Sequence, residues 1–202
     1  MADDKLSRRE REKLRRRREI LKAAKWVFSR RGFAGANLDE VAARCELSKG
    51  TIYYYFGNKE KLFAAVMEET LEEIVAQAET ALGVPDIRLA VEEFIENTLT
   101  IYKREYDLML VFFRERKRFG GYSESRNIGN KFIQMHQILE DLFQKGIQRG
   151  EIKSLNRSML ASSLMGLIHG FTHINIISKL VDYDPATGAK ILTGILFDGI
   201  KA

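Results

Sequence analysis

The sequence predicts an all-α fold, in which a small N-terminal helical unit precedes a larger helical domain, with about nine helices in all. Only two prolines occur in 202 residues, so the chain has few of the residues that interrupt helices. Apolar residues recur with the 3.6-residue period of a helix, and no stretch alternates with the two-residue period of a strand. A hydrophobic content of 45% beside 30% charged residues is typical of a folded domain with a solvated surface.

The first two helices can be placed from their breaks and caps. The first is expected over residues 8–31, where Gly32 ends it. The second follows Asn37, a good N-cap, and Glu40 three residues later completes something close to a capping box. On the apolar face of this short helix, Cys45 is expected to be a small core residue and not a reactive thiol.

A third short helix is expected over residues 49–56, capped by Ser48. Its inward face holds only Ile52 and Phe56. The tyrosines at 53–55 are consecutive, so they spread over about 200° of the helix and cannot all face one core. At least one or two of them are therefore expected on the surface. Two short helices joined by a tight turn inside a basic three-helix unit describe a helix-turn-helix.

Further helices follow, separated by glycine and proline turns. Asn58 is expected to cap a connecting helix over 59–82, which Gly83-Val84-Pro85 ends. The remaining helices are expected over 86–104, 106–118, 123–150, 155–179 and 185–201, with breaks at Gly120-Gly121, Gly150 and Asp184-Pro185. The predicted domain boundaries are 1–58 for the N-terminal unit, 59–82 for the connecting helix and 83–202 for the larger domain.

Composition and short motifs narrow the function classes. Cys45 is the single cysteine, which excludes a disulfide framework and any cysteine-based metal site. Residues 1–19 contain no apolar segment of the signal-peptide type, so we expect a cytoplasmic protein. His169 and His173 stand four residues apart but lack the glutamate of the zinc-binding H-E-x-x-H motif. With no phosphate-binding loop and no nucleophile elbow, we expect no catalytic residue, no metal and no cofactor.

One uncharged segment matches a membrane span in length, the 21 residues 158–178. It carries serines, threonine, histidines and asparagine, which are costly in hydrocarbon. Small residues recur every four positions, at Ser162, Gly166 and Gly170. A helix buried in protein is therefore the better interpretation, and no membrane partner is expected.

Charge is divided unevenly along the chain. Residues 1–60 hold 16 Lys and Arg against 9 Asp and Glu, whereas the rest of the chain holds 17 against 19. A basic N-terminal region before a nearly neutral remainder predicts that the N-terminal region binds a polyanion. The alternative is that the densest run, Arg15–Arg18 with the cations before it, is only the solvated face of a helix or a disordered tail.

The stretch GFAGANLDEVAARCELSKGTIYYYFGNKEKLFAAV combines a glycine-aromatic loop, a Ser-Lys-Gly-Thr helix start, Tyr-Tyr-Tyr-Phe and a Lys-Glu-Lys-Leu helix start. On these motifs, residues 16–67 resemble the DNA-binding region of the TetR family of bacterial transcriptional regulators. The resemblance implies a sequence-specific repressor that a small effector releases from a palindromic operator. Two positions depart from the family pattern: Asn37 stands where threonine is common, and Glu46 where glycine is common. A non-glycine residue in a left-handed turn costs about 1 kcal/mol.

The residues themselves favour DNA contact at the start of the third helix, where N–H groups, the helix dipole and a lysine can meet phosphates. By resemblance, the base contacts and their neighbours are Lys49, Gly50, Thr51 and Tyr54, and the phosphate anchors are Asn37, Ser48, Tyr53, Tyr55 and Lys59. The arginine run and the residues before it are expected to form an arm that is disordered without DNA and adds non-specific affinity.

The resemblance assigns effector binding and dimerisation to residues 83–202. The last two helices are expected to pair with their copies in a homodimer, through Gly166, Gly170, Leu192, Ile195, Leu196 and Gly199. The alternative is that these apolar stripes are covered within one chain. The expected effector pocket comprises Phe94, Thr98, Tyr102, Phe112, Met135, His136 and His169, with plain core as the alternative. The uncharged segment 158–178 favours an apolar or aromatic ligand, with a long-chain acyl compound as one form.

Two other function classes stay open at this point. A helical enzyme would use the acidic segments or the histidines, and it would turn over a substrate. A basic nucleic-acid-binding protein without sequence preference would protect no defined site on DNA.

Overall fold

The computed structural model describes residues 7–115, 126–178 and 183–200. Within these ranges the chain forms nine helices and no strand, so the all-α prediction is confirmed there. The helices are α1 (Arg8–Gly35), α2 (Leu38–Arg44), α3 (Lys49–Phe56), α4 (Lys59–Ala81), α5 (Ile87–Arg104), α6 (Tyr106–Glu115), α7 (Arg126–Gln148), α8 (Arg157–Ser178) and α9 (Pro185–Ile200). The break predicted at Gly120-Gly121 lies outside the described residues, as do residues 1–6 of the expected arm.

The basic start of the chain is a helix from Arg8 onward. Ser7 and Glu10 form a complete capping box, with the Ser7 hydroxyl accepting from the Glu10 N–H at 3.2 Å and the Glu10 carboxylate accepting from the Ser7 N–H at 2.8 Å. Arg15 pairs with the carboxylates of Glu12 at 2.7 Å and Glu19 at 2.6 Å, one helical turn away on either side. The expectation of a disordered arm is therefore wrong for residues 7–18, because the interleaved acids offset the repulsion among the arginines.

Gly32 interrupts α1 as the sequence predicts, with φ of 68° and ψ of 175°, a conformation that favours glycine. The bend turns Phe33 back into the N-terminal unit, where its ring packs at 5.5 Å from Phe63 and 6.0 Å from Phe28. Phe28 and Phe63 meet edge to face at 5.0 Å. Because Phe63 belongs to α4, this cluster fastens the connecting helix to the N-terminal unit.

The larger domain packs around α4 and α5. Helix α4 runs from the N-terminal unit into this domain, where it lies against α5 and α7, and α5 in turn packs on α9. Helix α8 lies against α7, and α6 lies against α1. None of the helices in the described ranges is long and apolar enough to span a membrane, including α8.

Candidate nucleic-acid interface and internal cavity

Asn37 caps the N-terminus of α2, and its side chain accepts a hydrogen bond from the Asp39 N–H at 2.9 Å. The cap is therefore as predicted. The capping box is not formed, because the Glu40 carboxylate pairs with the Arg31 guanidinium at 3.3 Å instead. This pair joins the end of α1 to the start of α2.

The turn between α2 and α3 accommodates Glu46 in the left-handed conformation, with φ of 54°. The Leu47 N–H bonds to the Ala42 carbonyl at 2.9 Å, which closes the turn despite the missing glycine. Cys45 is half-buried at the end of α2, and its thiol donates to the Val41 carbonyl at 3.1 Å. Burial raises the pKa of this thiol, as expected for a structural cysteine and not a reactive one.

Helix α3 presents two different faces. Ser48 caps it by accepting the Thr51 N–H at 3.2 Å. Ile52 and Phe56 are buried, as predicted. Tyr53 and Tyr54 are 45% and 76% exposed, whereas Tyr55 is half-buried and meets the Tyr54 ring edge to face at 5.5 Å. The expectation that one or two tyrosines lie outside is confirmed, and Lys49 and Gly50 share their exposure.

Two lysines predicted to contact DNA have partners within the chain. The Lys49 ammonium lies 2.9 Å from the Asp39 carboxylate, and this hydrogen bond raises the pKa of Lys49. The Lys59 ammonium donates to the carbonyls of Ala36 at 3.0 Å and Ala34 at 3.3 Å, and it lies 4.8 Å from the centre of the Phe33 ring. Lys59 therefore holds the loop before α2. Sequence reasoning missed this role because backbone carbonyls distant in sequence leave no motif.

The first turns of α1 lie beside α3. An open cleft of about 500 Å³ is lined by Tyr54 and Tyr55 from α3 and by Arg8, Arg9, Glu12 and Lys13 from α1. Its cations lie next to the most exposed tyrosine of α3. The structure thus adds Arg8, Arg9 and Lys13 to the candidate interface as side chains of a helix.

A charged cluster joins the N-terminal unit to the body. Glu105, between α5 and α6, is only 8% exposed, and its carboxylate accepts from Lys25 of α1 at 2.6 Å and from Arg104 at 2.8 Å. Arg104 also pairs with both oxygens of Glu73 on α4, at 2.9 and 2.5 Å. These bonds raise the pKa of Arg104 and lower that of Glu73. Nothing in the sequence singled out these residues, because the partners come from three separate helices.

The body contains a small cavity between α4, α5, α7 and α8, with about 10 Å³ of space. Its lining consists of Ile74, Phe94, Thr98, Tyr102, Met135, Met165, Ile168 and His169. Five of the seven predicted pocket residues are among them. Phe112 is buried beside Phe113 and does not line this cavity. His136 does not line it either, because one step along α7 from Met135 rotates its side chain toward Ser162 and Glu140, at 3.0 and 3.1 Å.

Helices α8 and α9 leave an apolar surface uncovered. Met159, Ile174, Ile191 and Ile195 are between 54% and 69% exposed, and Gly166 and Gly170 are exposed too. Of the predicted interface residues, Leu192 and Leu196 instead lie in the core of their own chain. On α9, Ile191 and Ile195 form an exposed column, and Leu192 and Leu196 form the adjacent buried leucine column. Helix α9 packs mainly on α5. Gly199 lies in α9, outside the residues whose burial is described.

In the described ranges, no group of three or more histidine, cysteine, aspartate or glutamate side chains could hold a metal ion. His169 is likewise not part of such a group, and its Nδ1 lies 2.8 Å from the Met165 carbonyl.

Comparison with known proteins extends the similarity beyond α1–α3. Residues 20–66 match the model of bacterial regulatory proteins of the tetR family. The chain is 30% identical over 156 residues to the HTH-type transcriptional repressor NicS of Pseudomonas putida, covering 74% of each. It is 25% identical over 181 residues to the HTH-type transcriptional regulator UidR of Escherichia coli, covering 89% of this chain and 88% of that protein. The transcriptional regulator FadR of Bacillus subtilis, solved with stearoyl-CoA, matches with a TM-score of 0.77 and 20% identity, over 90% of this chain and 98% of that chain.

Proposed function

Because the chain belongs to the tetR family of bacterial transcriptional regulators, we propose that it is a repressor that binds a palindromic operator as a homodimer and leaves it when a small effector binds in the body. The observation that carries the proposal is the outer face of α3. This face exposes Lys49, Gly50, Tyr53 and Tyr54 beside the basic first turns of α1. A short helix with such a face suits the major groove, where side chains reach base edges and phosphates together.

The proposed contacts divide into two groups. Lys49, Gly50, Thr51 and Tyr54 face the base edges and their neighbouring phosphates. The DNA backbone is held by a second set from α1, α2, α3 and α4: Arg8, Arg9, Lys13, Asn37, Ser48, Tyr53, Tyr55 and Lys59. To reach DNA, Lys49 exchanges its carboxylate partner Asp39 for a phosphate or a base. Lys59 acts chiefly by holding the loop that positions Asn37.

The proposed homodimer forms through the exposed faces of α8 and α9. Met159, Ile174, Ile191 and Ile195 supply the apolar contact, and Gly166 and Gly170 let two helices approach closely. A two-fold axis matches a palindromic operator, with half-sites about 34–36 Å apart on one face of the DNA. In this arrangement residues 1–58 read DNA, 59–82 connect, and 83–202 dimerise and hold the effector.

The proposed release of the protein from its operator follows from the position of the cavity. A ligand larger than a water molecule enlarges it and displaces α4 at Ile74 and α5 at Tyr102. Two residues beyond Tyr102, the cluster of Arg104 and Glu105 binds Lys25 on α1 and Glu73 on α4. Movement of α5 is thereby passed to the N-terminal unit, and the separation of the two α3 helices changes. The effector must bind the DNA-incompetent form better, since otherwise it shifts no equilibrium.

Selection from a random duplex pool by the purified protein, followed by footprinting, tests the proposal. We expect a two-fold symmetric sequence with two protected half-sites and strong salt dependence. Uniform protection without a consensus would indicate the non-specific binding class instead. Turnover of a substrate in place of DNA binding would indicate the enzyme class.

A further inference from the structure

Thr98 lacks the intrahelical hydrogen bond that four other threonines in the helices of this protein make. Thr70, Thr80, Thr100 and Thr172 each donate their hydroxyl to the carbonyl four residues earlier, at 3.5, 2.9, 2.8 and 2.7 Å. Thr98 lines the cavity, and its hydroxyl is buried with no hydrogen-bond partner within the described part of the chain. A buried hydroxyl without a partner is costly, and the intrahelical bond is the usual remedy. Thr98 therefore keeps a hydrogen-bonding group available inside the cavity.

The other polar groups of the cavity bond to each other or to the chain. The His169 Nδ1 is 2.8 Å from the Met165 carbonyl, which can only accept, so Nδ1 carries a proton. In the neutral ring, Nε2 then accepts, and the Tyr102 hydroxyl faces it at 3.5 Å. Among the described residues that line the cavity, the Thr98 O–H is then the donor left for a ligand oxygen.

The rest of the lining sets the character of the ligand. Ile74, Phe94, Met135, Met165 and Ile168 are apolar, and none of the described residues lining the cavity is acidic, lysine or arginine. A charged ligand group would lose its hydration here without gaining a countercharge. The space of about 10 Å³ is far below the usual 300–1,000 Å³ of ligand pockets, so the ligand must push the flexible Met135 and Met165 aside.

We propose that the effector is a compact, uncharged apolar or aromatic molecule with one oxygen acceptor, a carbonyl or hydroxyl, and that Thr98 selects it by donating a hydrogen bond to that oxygen. This inference rests on the proposed function, in which the cavity between α4, α5, α7 and α8 is the effector site.

Two probes of nearly the same shape test the inference on the full-length protein. Acetophenone presents a carbonyl oxygen where α-methylstyrene presents a methylene group. Calorimetry or ligand-observed NMR should show acetophenone binding about tenfold more tightly. Thr98→Val should remove this preference, and Thr98→Ser should retain it. The matched control is Thr193→Val on α9, because Thr193 is also a buried hydroxyl without a partner in the described ranges but does not line the cavity.

Equal affinity of the two probes, unchanged by Thr98→Val, would overturn the role of Thr98 while leaving the cavity as the effector site. Failure of both probes to bind at millimolar concentration would overturn the assigned ligand class. The proposed function is judged separately by operator selection, which needs no ligand. A preference lost equally in Thr98→Val and Thr193→Val would assign the effect to general packing and would also contradict the inference.

Discussion

The DNA-reading unit, which comprises helices α1–α3, and the cavity in the larger domain are built in opposite ways. Side-chain caps at Asn37, Ser48 and Asn58 hold the starts of α2, α3 and α4. At the cavity, by contrast, flexible methionines close a space of about 10 Å³, and the Thr98 hydroxyl lacks a partner within the described residues. The DNA-reading unit is thus organised to keep one shape, whereas the larger domain contains the cavity where we propose that a ligand changes the packing.

In the proposed mechanism, a joint of four charged residues between the two regions transmits such a change to the DNA-binding face. Lys25, Arg104, Glu105 and Glu73 bind one another across α1, α4 and the α5–α6 boundary. Because the DNA-reading unit is rigid, a movement of this joint is enough to reorient the whole unit in the proposed mechanism. Four predictions probe the contrast between a rigid reading unit and an adaptable body.

The largest effect is expected from Ile195→Asp on the exposed face of α9. A carboxylate there cannot be buried against a second copy, so the dimer dissociates and operator affinity falls by about a thousandfold, toward the non-specific level. Analytical ultracentrifugation and binding titrations measure both changes. Leu89→Asp on α5 is the control for an added surface charge, since Leu89 is 49% exposed but is not among the residues of the proposed interface on α8 and α9. A dimeric Ile195→Asp variant would contradict the proposed interface.

Next come Tyr54→Ala and Lys49→Ala on the outer face of α3. Each variant should lower operator affinity about 10- to 100-fold, because each loses a base or phosphate contact. The melting temperature should stay unchanged, since both side chains are exposed. Lys153→Ala, an exposed lysine far from α3 in sequence, is the matched control. Parental affinity in either variant would show that this face does not read DNA.

Glu105→Gln tests the joint. The variant keeps the shape of the side chain but leaves Lys25 and Arg104 without its charge, so unfolding should become easier by about 1–3 kcal/mol. Spin labels on the two α3 helices of the dimer should report a broader distance distribution than in the parent. The exposed Glu93→Gln on the neighbouring α5 serves as control. An unchanged distribution would mean that the joint does not orient the reading unit.

The smallest effect concerns Glu73, whose pKa is lowered by the hydrogen bonds from Arg104. A carboxylate with a lowered pKa in the folded state adds stability above its ordinary pKa of 4.5, and this contribution fades as the pH falls. Because Glu73 is partly exposed, Glu73→Gln should cost less than about 1 kcal/mol at neutral pH. Denaturant titrations at pH 7 and pH 4 should show the difference narrowing. A constant difference would point to lost packing.

The sequence by itself determined the local features: the caps at Asn37, Ser48 and Asn58, the break at Gly32, and the inward face of α3. These depend on residues within one or two helical turns, where side-chain type and spacing decide the geometry. Five of the seven residues that the sequence predicted for a pocket also line the cavity, because they lie on inward faces of long amphipathic helices.

Only the tertiary structure decided which elements meet. It placed the leucine column of α9 in the core and left Ile191 and Ile195 on the surface. It also brought Lys25 to Glu105, and Lys59 to the backbone carbonyl of Ala36. The periodicity of a sequence shows which face of a helix is apolar and which face is charged. The partner of each face depends on distances between helices that are remote in sequence.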